Sequence, residues 1–213
     1  MITPATVHHP LFARFYANVL ARSEPAEMTA CRVELVVGLT GRVLELGAGA
    51  GANLVHYPAS VTEVVAVEPE PYLRERLREA ATQVPVPVTV ADGVADAIPV
   101  GDASCDAAVA SLVLCSVPHQ AAALAELRRV LRPGGELRFF EHVRGATPRM
   151  TRWQAIADRT FWPRAFGGCH TNRDTVAAIA AAGFAIESER RLDGALPRFL
   201  PVVPHVLGRA RRP

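Results

Sequence analysis

Arg42-Val43-Leu44-Glu45-Leu46-Gly47-Ala48-Gly49-Ala50-Gly51 is the stretch on which the reading of this chain turns. Val43, Leu44 and Leu46 form a short apolar run of strand formers that stops at Gly47. Gly47, Gly49 and Gly51 then alternate, and Ala52, Asn53, Leu54 and Val55 are expected to open a helix. A strand, a glycine-rich turn and a helix start make a place where a ligand meets bare backbone. Val64-Val65-Ala66-Val67-Glu68 is a second apolar strand ending in a carboxylate. Glu68 follows the glycines by about 20 residues, the spacing at which an acid accepts hydrogen bonds from a ribose diol. The pattern points to an adenosine-containing molecule. Gly47-x-Gly49-x-x-Ala52 also satisfies the permissive dinucleotide fingerprint, and a tight turn without a ligand would use the same glycines.

Composition narrows the classes. At 213 residues, half of them hydrophobic, the chain can bury a full core as one domain. A formal charge of +2 gives no case for a nucleic-acid partner. All 23 basic side chains are Arg, which excludes a Schiff-base lysine, a Walker lysine and a lysine base. Cys31, Cys105, Cys115 and Cys169 are scattered without a C-x-x-C pair, so neither a zinc site nor a disulfide framework is indicated. No signal peptide is evident, and the longest apolar run, 107–117, is too short to span a bilayer. The expected location is cytoplasmic, without stable membrane insertion.

Outward from the opening strand, Phe12, Phe15, Tyr16, Val19 and Leu20 recur at helical spacing, predicting an amphipathic helix over Pro10 to Arg22 whose stripe packs in the core. A second helix is expected from Glu24 to Leu39, with Ser23 as N-cap and Pro25 at its first position. Together they form an N-terminal appendage placed to fold over the ligand as a lid. Helices are further expected over 71–83, 121–131, 148–162 and 171–182, the last closed by Gly183, with 163–169 as a loop. Strands are expected over 86–90, 105–111, 136–143, 184–191 and 205–211, with Pro133-Gly134-Gly135 stopping the helix before the fifth. This alternation means an α/β fold with a parallel sheet covered on both faces.

The ordered motifs Val43-Leu44-Glu45-Leu46-Gly47-x-Gly49-x-Gly51, Glu68, Ala95-Asp96-x-Ile98-Pro99, Asp102-x-Ser104-x-Asp106 and Leu131-Arg132-Pro133-Gly134-Gly135 resemble those of class I S-adenosylmethionine-dependent methyltransferases with a type 11 methyltransferase domain. Leu112-Val113-Leu114-Cys115-Ser116-Val117, Glu141-His142-Val143 and Gly168-Cys169, with Arg173 beyond, look like the methyltransferase-like 7 group. That group methylates small thiols and carries an N-terminal membrane anchor, for which this sequence shows no matching run. The resemblance implies a Rossmann-like seven-stranded sheet in the order 3-2-1-4-5-7-6 with strand 7 antiparallel. It implies one domain over 1–213: N-terminal helices to 40, a cofactor-binding core over 41–143, and acceptor-side helices and strands over 144–213. It assigns Gly47, Gly49 and Gly51 to the methionine end of S-adenosylmethionine and Glu68 to the ribose hydroxyls, with Glu45, Asn53 and Pro69 also among the cofactor-binding residues. Gly93, Val94, Ala95 and Asp96 surround the adenine, and Ser111 and Leu112 flank the sulfonium. The expected partner is a small-molecule methyl acceptor.

With the methyl group already activated on the cofactor, the protein must align the acceptor, exclude water and remove any proton. His142, just past the fifth strand, is the candidate catalytic base, or else a hydrogen-bonded strand-end histidine. Glu141, Asp158, His170 and Arg173 are the other polar candidates, with Glu141 expected on the opposite side as an anchor for the N-terminal helices. Cys115 reads as a small buried hydrophobe, and Cys169 as a possible pocket wall. Trp153, Phe161, Trp162 and Phe166 are expected to roof an apolar or aromatic acceptor site. A thiol needs little base, whereas a hydroxyl, phenol, amine or lipid acceptor would want one. A nicotinamide oxidoreductase would need a second mononucleotide half that this chain has no room for. A degenerate methyltransferase fold serving as a binding protein is the other alternative.

Overall fold

Strand β1 (Gly41–Leu46) is buried on both faces because Val43 and Leu44, adjacent in sequence, point to opposite sides of the sheet and find a core on each. The computed structural model describes residues 8–20, 23–192 and 203–213. Its other strands are β2 (Val61–Val67), β3 (Val88–Ala91), β4 (Cys105–Ser111), β5 (Leu131–His142), β6 (Ala185–Leu192) and β7 (His205–Arg211). They form one sheet in the order β3-β2-β1-β4-β5-β7-β6. The first five are parallel, and β7 runs antiparallel to both β5 and β6. The fold and strand order read from the motifs are those observed.

Helices α2 (Ala26–Val36) and α3 (Pro71–Ala81) lie on one face, with Leu35, Leu77, Val109 and Phe140 in that core. Helices α4 (Gln120–Val130) and α7 (Thr175–Ala181) lie on the other, with Leu124, Leu127, Ile179 and Phe139. Phe139 and Phe140 are fully buried on opposite faces, and each contributes about 1.5–3 kcal/mol of apolar burial. The remaining helices are α1 (Pro10–Phe15), α5 (Pro148–Arg159) and the single turn α6 (Trp162–Ala165).

Several local expectations are corrected. After the glycines the chain makes turns and one 3-10 turn, Leu54–His56, in place of an α-helix, because Asn53 and Tyr57 spend their side chains on Glu45. The first helix holds α geometry only to Phe15 and widens into a π-helical turn, Tyr16–Leu20. The expected stripe divides: Phe15, still in the α-helical part, and Val19 are exposed while Phe12 and Tyr16 face inward. Arg22 lies outside the described residues. Pro25, not Ser23, is the N-cap of α2, and the Ser23 hydroxyl donates back to Val19 O at 2.7 Å. Pro133-Gly134-Gly135 lies within β5, absorbed by a register shift against β4. Helix α7 starts late because Asp174 caps it through the Ala177 amide.

Candidate active site

The carboxyl ends of β1, β2 and β4 open onto a cavity of about 500 Å³, at the switch point where parallel sheets of this order accept ligands. Gly47 and Gly49 form part of its wall, both with positive φ, +63° and +58°. A side chain at Gly47 would collide with Val113, and a Cβ at Gly49 would lie 3.4 Å from the Tyr16 ring. Only glycine gives both the turn and the close approach. Glu68 lies on the same wall, its two carboxylate oxygens accepting from Gly49 N at 2.8 Å and Glu70 N at 2.9 Å. Burial pushes its carboxyl up to about 6, against the pull of those two amides. Pro69, Gly93, Val94, Ala95, Asp96, Ser111 and Leu112 complete this end of the cavity.

Glu45, Gly51 and Asn53 do not line it. Glu45 is buried and accepts from Asn53 Nδ2 at 2.8 Å and Tyr57 Oη at 2.9 Å, its carboxyl raised by burial. Gly51 packs against Leu54, Leu77 and Ala80. These three shape the glycine turn from behind.

The N-terminal helices form the opposite wall through Phe12, Ala13, Tyr16 and Met28. Their clamp, invisible in sequence, is Arg32: it donates to Glu24 from Nε at 2.9 Å and Nη2 at 2.8 Å, and from Nη1 to Asn53 Oδ1 at 2.9 Å and Ser111 Oγ at 3.2 Å. His9 N donates to Glu70 Oε2 at 3.0 Å. The N-terminal helices therefore close one side of the cavity.

Beyond β4 the chain turns sharply. Leu112 takes φ +57°, a left-handed conformation that costs a non-glycine residue about 1–2 kcal/mol. The turn aims three successive amides at Glu141: Val113 N at 3.0 Å, Leu114 N at 2.8 Å and Cys115 N at 3.1 Å. Burial raises this carboxyl to about 7, with the amides opposing. Glu141 thus anchors the β4 loop and not the N-terminal helices, since the end of β5 lies directly beside that loop.

At the far end of the cavity Cys115, His142 and Cys169 meet. Their separations are 3.7 Å between the two sulfurs, 3.3 Å from Cys169 Sγ to His142 Nδ1, and 3.5 Å from Cys115 Sγ to the same nitrogen. Contact with the Cys115 thiol, followed by that with His142, draws Cys169 down to about 4 despite its burial. Cys115 moves the other way, held protonated by its neighbour and by burial. Burial works against charge on His142, but Cys169, Glu141 and Asp158 together outweigh it and raise its affinity for the proton. The pairing of β5 with β7 sets His142 opposite His205, ring centroids 4.5 Å apart. His205 is fully buried on the cavity wall, lowered to about 3 by burial and by His142.

Cys115 is buried among apolar residues, as expected, and it converges with Cys169 although the two are far apart in sequence. Trp162 and Phe166, stacked at 4.2 Å, line the cavity, whereas Trp153 and Phe161 are 63% and 56% exposed and do not roof it. Helix α5 ends at Arg159, which separates Trp153 from the turn α6 and its Trp162. Asp158 is spent on Thr171 N at 2.9 Å and Asn172 N at 3.0 Å. Arg173 donates to Leu114 O at 2.6 Å, and His170 lies half-exposed outside the cavity.

Residues 44–139 match a methyltransferase-domain family. The chain is 38% identical to the thiol S-methyltransferase TMT1B of Mus musculus, covering 93% of this chain and 85% of that protein. It is 36% identical to the human TMT1B over 84% of this chain and 75% of that one. Among solved structures, the N-methyltransferase NodS of Bradyrhizobium japonicum WM9, in complex with S-adenosyl-L-homocysteine, superimposes with a TM-score of 0.73 at 20% identity, covering 96% of this chain and 98% of that one. Among the described residues no helix is long and apolar enough to cross a membrane.

Proposed function

The chain belongs to the S-adenosylmethionine-dependent methyltransferases, alongside the TMT1B proteins, and from that premise we propose that it methylates a small apolar thiol. The cavity fits the cofactor: bare backbone at Gly47 and Gly49 leaves room that a Cβ would take, and Glu68 offers a buried acceptor beside it. The cofactor supplies a methyl group already activated on a sulfonium. In this reading Gly47 and Gly49 face its methionine end, with Glu45, Gly51 and Asn53 supporting the turn. Glu68 and Pro69 take the ribose, Gly93 to Asp96 enclose the adenine, and Ser111 and Leu112 flank the reactive centre. The N-terminal wall, tied down by Arg32, excludes water from the reacting atoms.

The acceptor enters between the Trp162–Phe166 stack and the sulfur–imidazole cluster. The observation that carries the reading is that Cys169 and His142, 3.3 Å apart, face the same cavity as Glu68 and the glycines. A thiol there lies beside the His142 imidazole, and as a thiolate it needs only alignment with the methyl carbon. The apolar stack favours a hydrophobic substituent on the acceptor. The test is a panel of small thiols, phenols and amines incubated with enzyme and S-adenosylmethionine, with products measured by mass spectrometry. Methylation of thiols is expected; thiols inert while hydroxyl or amine acceptors react would refute the thiol assignment. A protein that binds the cofactor and methylates no acceptor class would point to a degenerate binding protein.

A further inference from the structure

Two buried cysteines and a half-buried histidine, from three different segments, meet at the acceptor end. Cys115 comes from the loop after β4, His142 from the last position of β5, and Cys169 from the loop after α6. Around a tetrahedral zinc ion, with Zn–S of about 2.3 Å and Zn–N of about 2.0–2.1 Å, two sulfurs lie about 3.8 Å apart and sulfur and nitrogen about 3.5 Å. The corresponding separations here are 3.7, 3.3 and 3.5 Å. The three donor atoms thus already form one face of such a tetrahedron.

The backbone holds that face in place. Cys115 N donates to Glu141 at 3.1 Å, Cys115 O accepts from His170 N at 2.7 Å, and Cys169 N donates to Phe166 O at 3.0 Å. Gly168, at φ +86°, lets the Cys169 loop close on Ser116, whose carbonyl oxygen would lie 3.0 Å from any Cβ there. His205, fully buried on the cavity wall with its ring centroid 4.5 Å from that of His142, backs the histidine of the cluster. Two sulfurs and an imidazole suit zinc and not magnesium or calcium, which take oxygen. Three protein ligands facing a cavity, with a fourth position open, is the pattern of a catalytic site and not of a closed structural one.

We propose that Cys115, His142 and Cys169 bind one zinc ion whose open position receives the acceptor thiol. This rests on the thiol reading above and deepens it. With both cysteines as thiolates and His142 neutral, the loaded site carries no net charge. The acceptor displaces a water and binds through sulfur, its proton leaving with that water to bulk solvent. A sulfur lone pair forms the new bond to the methyl carbon as the sulfonium carbon–sulfur bond breaks, that pair remaining on the cofactor sulfur. The neutral thioether is a weak ligand, so water replaces it and the product leaves.

The test uses full-length protein, stripped with a chelator and titrated with zinc against a chromophoric competitor, then with cobalt. Expected are one equivalent per chain, a tetrahedral cobalt spectrum with sulfur-to-metal charge transfer, and a change in that spectrum when a small alkanethiol is added. Cys115→Ser and Cys169→Ser should each weaken zinc by about 100-fold or more. Trp153→Ala, on the surface, should not, and calorimetric S-adenosylmethionine binding checks that each variant is folded. Substoichiometric metal, or affinity unchanged in folded serine variants, overturns the site. Thiol methylation by the zinc-free protein would then leave the functional reading standing. A cobalt spectrum indifferent to the thiol overturns the use of the open position. Metal held by these residues with every thiol inert overturns both that use and the thiol reading.

Discussion

Replacing Glu68 by Gln tests the cofactor site at its most diagnostic group. Both carboxylate oxygens already accept a backbone amide, from Gly49 at 2.8 Å and Glu70 at 2.9 Å. Gln keeps one of those acceptors and turns the other into an N–H that must face an N–H. The ribose diol would also lose its charged partner. Hydrogen bonds to a charged group are worth about 1.5–3 kcal/mol, so S-adenosylmethionine should bind roughly 10- to 100-fold more weakly. The wild-type protein carries a second signature, because burial holds this carboxyl at about 6. That value lies above the unfolded one, so the group's contribution to folding is fully present below about pH 4.3 and is lost as pH rises through about 6. The cost at neutral pH is about 2 kcal/mol in the free protein. A ligand that hydrogen-bonds the ionised form offsets it. Affinity should therefore fall about tenfold between roughly pH 7.5 and pH 5, and thermal stabilisation by the cofactor should shrink in parallel. Glu68→Gln should flatten both dependences. Isothermal titration calorimetry and thermal melts at the two pH values provide the measurement. A Gln variant with wild-type affinity and wild-type pH dependence would refute the ribose assignment.

Other substitutions probe the surrounding parts. Gly49→Val should abolish cofactor binding while the chain stays folded by circular dichroism, because φ +58° strains any side chain and a branched one would fill the space between this turn and the Tyr16 ring; retained calorimetric affinity would contradict this. Glu141→Gln should cost about 2 kcal/mol of stability, read from the urea midpoint, since one of three buried amides loses its acceptor. The double change Phe12→Ala and Tyr16→Ala should raise the cofactor Kd about tenfold or more with little shift in Tm, because these rings contribute more to the cavity wall than to the core. Equal cofactor affinity in that variant would show the N-terminal wall to be dispensable.

Much of the fold could be read because its signals are local. The opening strand, the glycines and the acid after β2 lie within 27 positions, and β4 has the expected bounds because it is an apolar run cut off sharply, while β7 has its expected bounds between Pro204 and Arg212-Pro213. The N-terminal helix is harder: Phe12 and Tyr16 of its stripe face inward while Phe15 and Val19 are exposed, and no periodicity count registers the change to π geometry at Tyr16. Arg32 shows a different limit. A lone arginine amid Cys31, Val33 and Leu35 carries no sequence mark of its partners, which lie 8, 21 and 79 positions away. The cysteines were set aside for the same reason, since a spacing rule recognises only ligands that are near neighbours in sequence. Cys115, His142 and Cys169 stand 27 positions apart in turn.

A signal for that cluster did exist, in topology and not in spacing. Cys115 lies just past β4 and His142 ends β5, and the strand order makes β4 and β5 neighbours, so their carboxyl ends must share one rim. The same reasoning explains why Glu141 and His142, consecutive in β5, divide the labour. Alternation along the strand turns Glu141 to the β4 loop and His142 to the cavity. The β4 loop in turn carries Ser111 and Leu112 at the proposed methyl-donor side and Cys115 at the acceptor side. One buried carboxylate therefore fixes, through three amides and the strained Leu112 turn, the distance between the two halves of the reaction. Alignment is most of what this chemistry asks of a protein, which accounts for three amides being committed to a side chain that does not itself line the cavity.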